Sequence, residues 1–176
     1  MKFKATKLPG AFEIEPDRIS DERGFFAVTW RPDEFVANGL DPKFDQCSIA
    51  FNKVGGTVRG MHYQIAPHEE TKLVRCTLGA ICDVLVDLRK DSPSYLEWIA
   101  VELTAENRKM LYVPANVAHG YYTLEDRSEV YYQMGGLYNP SCARGVRWND
   151  TAFGVKWPGP VQVINSRDAQ YPDFVP

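Results

Sequence analysis

From residue 44 to residue 134 the chain breaks into short strand-like runs at near-regular spacing, and nothing else in the sequence constrains its fold as tightly. The runs fall at 46–51, 57–64, 72–78, 80–88, 97–103, 109–113, 120–124 and 129–134, with Gly55-Gly56, Leu78-Gly79 and residues 104–107 supplying turns. Runs of this length bounded by turn residues read as strands joined by tight connections. With almost no helical periodicity and no internal repeat, they imply an all-β fold, a two-sheet antiparallel sandwich of the jelly-roll kind, rather than a propeller or solenoid. Over 80–88, Ala80, Cys82, Val84, Val86 and Leu88 alternate with Ile81, Asp83, Leu85 and Asp87. That alternation predicts a strand packed against a core on its apolar face alone.

The flanks are less regular. Residues 3–15 carry short apolar runs broken by Pro9 and Gly10, residues 17–24 are polar and turn-like, and a strand pattern resumes at Phe25 behind Arg23-Gly24, a plausible sheet edge. Pro32 at a first helical position, the spacing of Phe35, Val36 and Leu40, and Gly39 as a stop predict one short helix over 32–38. From Trp148 onward the chain is proline-rich and too irregular for more sheet, yet too aromatic for disorder, so it should pack down onto the sandwich.

A chain of 176 residues supports one domain, 1–176, with a sizeable core. A net charge of -3 leaves no basic footprint, which argues against a nucleic-acid partner. The start has no apolar run of signal-peptide length and no segment approaches a membrane span, so a cytoplasmic location is expected. Cys47, Cys76, Cys82 and Cys142 show no CxxC spacing and read as reduced thiols, with Cys76 and Cys82 in the core.

Chemistry concentrates in VRGMHYQIAPHEETKLVRC, residues 58–76, which holds Arg59, His62 and Lys72. An arginine can fork onto phosphate oxygens, a histidine can carry a proton near neutral pH, and a lysine can face a developing oxyanion. Each alone is more often a structural or solvated residue. In a regular strand Arg59 and His62 would point to opposite faces, so Gly60 between them marks either a bulge that turns both to one cavity or a close strand approach. Further candidates are His119, in a loop bounded by Pro114 and Gly120, Tyr132 and Asp168, whereas His68 looks solvated. A metal-binding cupin would want an HxH pair with a downstream Glu, and His62 is followed by Tyr63 and Gln64, so no metal is expected.

Seven separated blocks, RGMHYQ, ETKLVRC, DVLVDLRKDSPSY, YVPANVAHGYYTL, VYYQ, GVRWND and NSRDAQYPD, together resemble the dTDP-4-dehydrorhamnose 3,5-epimerase family over nearly the whole chain. The resemblance implies a cupin-type jelly roll, usually a homodimer, without metal or redox cofactor, acting on a nucleotide-diphosphate 4-keto-sugar. Carried across, His62 matches the general base, Asp168 its carboxylate partner and Tyr132 the general acid. Lys72 and His119 match residues around the reacting sugar, while Arg59 and Arg23 match those holding substrate and diphosphate. Gln46 and Ser48, in the family's Gln-x-Asn binding run, and Arg167, in place of a frequent Lys, fall on substrate-binding positions. Abstraction of a proton beside a C4 ketone needs just such a base, a positive charge at the ketone oxygen and a donor on the opposite ring face.

The rim departs from that family. Val28 stands where a Glu is usual, Cys47-Ser48 replaces the end of the binding run, and Leu137 replaces an aromatic before Tyr138-Asn139-Pro140. Ala143 stands where a Glu is common. Either the nucleotide differs from dTDP, a GDP- or CDP-linked deoxysugar or heptose being examples, or a tolerant rim has drifted. Two other activities compete: a 3,4-ketoisomerase on a related scaffold, and a non-catalytic sugar-binding cupin.

Overall fold

In a computed structural model that describes residues 1–176, thirteen strands and two short helices follow one another along the chain. The strands are β1 (Lys2–Ala5), β2 (Phe12–Glu15), β3 (Arg18–Asp21), β4 (Gly24–Ala27), β5 (Gln46–Asn52), β6 (Val58–Gln64), β7 (Thr71–Leu78), β8 (Ala80–Asp87), β9 (Trp98–Thr104), β10 (Met110–Val113), β11 (Val117–Thr123), β12 (Ser128–Gly135) and β13 (Ala143–Gly145). Helix α1 spans Pro32–Ala37 and α2 spans Ser166–Ala169. A six-stranded sheet runs β1-β2-β10-β7-β12-β5 and a five-stranded sheet runs β13-β6-β11-β8-β9, with antiparallel pairing throughout both. From β5 to β13 every pair of sequential neighbours except β8 and β9 is split between the two sheets, which gives the jelly roll its crossing connections.

Period-two alternation sorts the side chains. Val74 and Cys76 of β7, Ile81 and Leu85 of β8, Leu111 and Val113 of β10 and Val130 of β12 meet between the sheets. Leu73, Met110 and Tyr112, from the opposite faces of β7 and β10, pack instead with Phe35 of α1. Pro32 opens that helix where its missing N–H costs nothing, and Gly39, at φ 73°, follows its end. The tail covers the five-stranded sheet: Val84 and Val86 of β8 and Met61 of β6 lie under Phe153, with Trp157 and Phe174 packed around them.

Strand β8 is therefore buried on both faces, contrary to the expectation from its alternation. Asp83 and Asp87 point into the sandwich and are fully buried, each with partners. Alternation gives a strand its period without saying which face is wet, and here the uniformly apolar face lies under the tail. Asp87 accepts from Arg89, Ser92 and Ser94, which overcome its burial and hold the carboxyl at about 2. Cys82, expected in the core, is only half-buried on the tail side. Residues 17–24, expected as turn, form a strand and a turn: β3 and β4 pair as a two-stranded ribbon that joins neither main sheet. No helix is long and apolar enough to cross a membrane.

Candidate active site

One end of the sandwich interior is polar and open. It encloses a cavity of about 300 Å³ lined by side chains from both sheets, among them Arg59, His62, Lys72, His119, Tyr121 and Tyr132. Strands β7 and β12 show how it arises: Cys76, Val74 and Val130 fill the core, and the next inward positions are Lys72 and Tyr132.

Strand β6 reaches this cavity through a bulge. On its neighbour β11, His119 pairs with His62 and Tyr121 with Arg59, so two residues of β6, Gly60 and Met61, oppose the single Gly120. The extra residue reverses parity and brings Arg59 and His62 to the same wall. Gly60 has φ 115°, and a Cβ on it would stand 2.6 Å from the Gly120 Cα. Both readings of this glycine thus hold at once: a bulge needing a left-handed residue, and a close strand approach.

The Gly60 N–H also donates to Asp168 Oδ2 at 2.9 Å, while Asp168 Oδ1 lies 2.8 Å from His62 Nε2. Asp168 is fully buried on α2, and its own N–H is capped by Asn165 Oδ1 at 2.7 Å. Burial would push its carboxyl up, but the His62 ring and the Gly60 N–H outweigh this and hold it below the usual carboxylate range. The carboxylate engages Nε2 and so leaves Nδ1 of the imidazole for another partner. Tyr171 packs edge-on against His62, with centroids 6.3 Å apart, over Gly145, where a Cβ would collide with its ring.

Tyr132 enters from β12, in the opposite sheet, and stacks edge-on against His119 at 6.0 Å. His119 lies within β11 and not in the loop expected for it, because that strand begins at Val117 and buries every one of its residues. Its Nε2 is 2.7 Å from Asp83 Oδ1, a second and deeper histidine–carboxylate pair. Burial, followed by the neighbouring Tyr121 phenol and Asp83, pushes the Tyr132 phenol well above its ordinary value, so it keeps its proton through the neutral range. Lys72 Nζ lies 3.0 Å from Glu70 Oε1 and donates to the His62 carbonyl at 3.2 Å. Two of its three donors are thereby engaged, and one is left for the cavity.

Arg59 donates through Nε to Asn52 Oδ1 at 2.8 Å and through Nη2 to the Phe51 carbonyl at 3.2 Å. Ser48 and Arg167 line the cavity, and Gln46 stands one step back, donating to Ser48 Oγ at 3.0 Å. Arg23 does not join them. It sits on the β3–β4 ribbon, exposed and paired with Asp21, outside the cavity of its own chain. A resemblance carries over a residue's type but not its place in the fold. Of the rim departures, Ser48 and Ala143 line the cavity, whereas Val28, Cys47 and Leu137 are exposed and do not.

Sequence reasoning missed Asp83, Glu70, Asn52 and Tyr121. Asp83 gave no usable signal, since the alternation put the β8 carboxylates on the face away from the core, and its register partner on β11 is Tyr121 and not His119. Glu70 stands two residues before Lys72, a spacing that puts both on one side of a strand. Asn52 and Tyr121 gave none. No group of three His, Cys, Asp or Glu side chains is placed to hold a metal ion.

This architecture is that of the cupin jelly rolls, with the polar cavity at the open end of the barrel. The comparisons narrow the class. The family model for dTDP-4-dehydrorhamnose 3,5-epimerase matches residues 5–175. A protein of that name from Shigella flexneri is 36% identical over 99% of this chain and 97% of its own. The dTDP-4-dehydrorhamnose 3,5-epimerase of Bacillus anthracis str. Ames, solved with TDP and PPi bound, superposes with a TM-score of 0.94 at 35% identity, covering 98% of this chain and 99% of that one. NovW, a 4-keto-6-deoxy sugar epimerase from the novobiocin biosynthetic gene cluster of Streptomyces spheroides, gives 0.92 at 31% identity, over 97% of this chain and 86% of its own. The chain belongs to the dTDP-4-dehydrorhamnose 3,5-epimerase family, and the enzyme class is that of isomerases acting as sugar epimerases.

Proposed function

We propose that this chain epimerises a nucleotide-diphosphate 4-keto-sugar at C3, C5 or both, with His62 as base and Tyr132 as acid. The observation that carries the reading is that His62 and Tyr132 come from facing sheets into one cavity. His62 takes a proton from the carbon beside the ketone, and Asp168 favours the imidazolium that results. The electron pair moves onto the ketone oxygen, where the remaining Lys72 donor stabilises the enolate. Tyr132 then gives its proton to the same carbon from the opposite ring face, and the configuration inverts. His119, held by Asp83, backs Tyr132 and borders the sugar. Arg59 and Arg167, with Gln46 and Ser48 beside them, hold the diphosphate side of the substrate. A cavity of about 300 Å³ is at the small end of ligand pockets, suited to the sugar, with the nucleotide lying toward the mouth. The test is proton NMR in deuterium oxide: label entering at C3 or C5 without carbonyl migration supports epimerisation, and migration of the carbonyl supports a ketoisomerase.

The nucleotide is a separate matter. Ser48 and Ala143 favour a base other than thymine because both line the cavity with small side chains where the family commonly has Asn and Glu. Titration with dTDP, GDP, CDP and UDP is expected to show no preference for dTDP, and a clear preference for it retires the idea.

The same reading includes a homodimer. Ile19, Phe25 and Phe26 of the ribbon are exposed, as are Ile49 and Phe51 on the outer face of edge strand β5. That much apolar surface on one face marks an interaction site. Arg23, on the same ribbon, would reach a substrate diphosphate only in a second copy. Light scattering should give twice the chain mass, and Phe26→Glu should lower both that mass and nucleotide affinity; a monomeric wild type overturns this.

A further inference from the structure

Gln64 is the last residue of β6 and, two positions after His62, lines the same cavity. It is 2% exposed, yet no atom of its amide is idle. Oε1 accepts from the Asn139 N–H at 2.7 Å. Nε2 donates to the His68 carbonyl at 3.0 Å, to Glu70 Oε2 at 3.3 Å and to the Leu137 carbonyl at 3.3 Å, so its two hydrogens are shared among three acceptors. Exchanging nitrogen and oxygen would set oxygen against oxygen and donor against donor, so the partners fix which way the amide points. The two peptide groups it engages, the Leu137 carbonyl and the Asn139 N–H, flank Tyr138. A residue in a parallel strand grips its neighbour in the same way. Nothing in the backbone does this for the segment: β12 ends at Gly135, and neither Leu137 nor Tyr138 makes a backbone–backbone hydrogen bond. Tyr138 lines the cavity and is 54% exposed, which places its ring at the mouth. Leu or Met would fill the buried position of Gln64 equally well; the amide is the part that packing leaves unexplained.

We infer that Gln64 is a positioning residue for nucleotide binding, holding residues 137–139 so that Tyr138 walls the nucleotide half of the site. The inference rests on the proposed placement of the nucleotide toward the mouth. A segment with no strand to fix it would have to be ordered when ligand arrives, and that ordering would subtract from the affinity. Gln64 completes the ordering when the chain folds. On its other side the amide meets Glu70, whose Oε1 lies 3.0 Å from Lys72 Nζ. Lys72 keeps that partner and the His62 carbonyl when Gln64 is replaced, so the chemical step should be spared.

Gln64→Met removes the amide at similar volume. Calorimetry with whichever of dTDP, GDP, CDP and UDP the wild type binds best should show affinity falling about tenfold, within the range that loss of one stacked base produces. Affinity for inorganic pyrophosphate should stay within about twofold, and in turnover KM should rise by about the same tenfold with kcat held within about threefold. Tyr138→Ala, a change at an exposed position, should lose as much nucleotide affinity, and the double variant no more than Tyr138→Ala alone. Losses that add, or a matching fall in pyrophosphate affinity, overturn the inference. If Tyr138→Ala loses no nucleotide affinity, the placement of the nucleotide is wrong and the role of Gln64 falls with it. If Tyr138→Ala loses affinity and Gln64→Met does not, the nucleotide is where it was placed and Gln64 alone is misassigned. Hydrogen exchange in the ligand-free wild type needs no variant: the Asn139 amide should exchange far more slowly than the Tyr138 amide beside it, and equal exchange of the two overturns the inference.

Discussion

With His62 replaced by Asn, solvent exchange at both carbons beside the ketone is expected to fall by about 10²–10⁴-fold, the range that a positioned general base contributes. Asn fills much of the imidazole volume, and Asp168 keeps its Gly60 N–H partner at 2.9 Å, so the buried carboxylate is not left wholly unpaired. Nucleotide affinity should hold, because Arg59 and Arg167 are untouched. Asp168→Asn should give a loss of similar order for a different reason. The neutral amide can no longer favour the imidazolium, and its N–H₂ can face Nε2 and select the wrong tautomer. The pair makes a sharp test: if either C3 or C5 exchange survives His62→Asn at wild-type rate, a second base exists. His119, 2.7 Å from Asp83, is the group to which suspicion would then turn. The two histidines pair with each other in register across β6 and β11 and both line the cavity, but the His62 side chain is 39% exposed whereas His119 is 4% exposed.

How far the sequence reaches can be seen in these same residues. The strands from β5 to β12 and the helix at Pro32 were legible because alternation, turn glycines and a proline at a first helical position are local signals. Gly60 was legible as well: parity alone showed that Arg59 and His62 could share a wall only through a distortion, and the register confirms it. The facing of β8 was not legible, because period two says nothing about what lies over each side, and the tail that covers Val84 and Val86 comes from far along the chain. Asp83 and Asn52 escaped for a related reason. Each acts by closing a distance across strands, from Asp83 to His119 and from Asn52 to Arg59, and such a distance exists only once the register is set. Arg23 is the reverse case, a residue type legible in the sequence whose own chain does not bring it to its own cavity.

Tyr132→Phe is expected to separate the two halves of the reaction. Base abstraction needs His62, Asp168 and Lys72, none of which touches the Tyr132 hydroxyl by a hydrogen bond, so label should still wash in from solvent through the imidazolium on the face from which it was removed. Inversion needs a proton delivered from the six-stranded sheet, and with the hydroxyl gone no other cavity group on that sheet is an acid placed to deliver it. Lys72 is on that sheet, but two of its donors are held by Glu70 and the His62 carbonyl and the third is the one assigned to the enolate oxygen, not to the carbon. The ring stays, and with it the edge-on contact with His119, so the fold and the second histidine–carboxylate pair should be undisturbed. Turnover to inverted product should therefore drop by about 10²–10³-fold while washout falls by less than tenfold. A parallel fall in both would mean that the phenol orients the substrate and does not protonate it, and the acid would have to be sought among Tyr121 and solvent. The asymmetry has a structural cause: burial and two neighbouring acidic groups push the Tyr132 phenol well above its ordinary value, so it stays protonated and ready throughout the range in which a histidine base can act. Acid and base are thereby set apart in strength by the same placement that sets them on facing sheets, and one cavity can take a proton on one side of a ring and return it on the other.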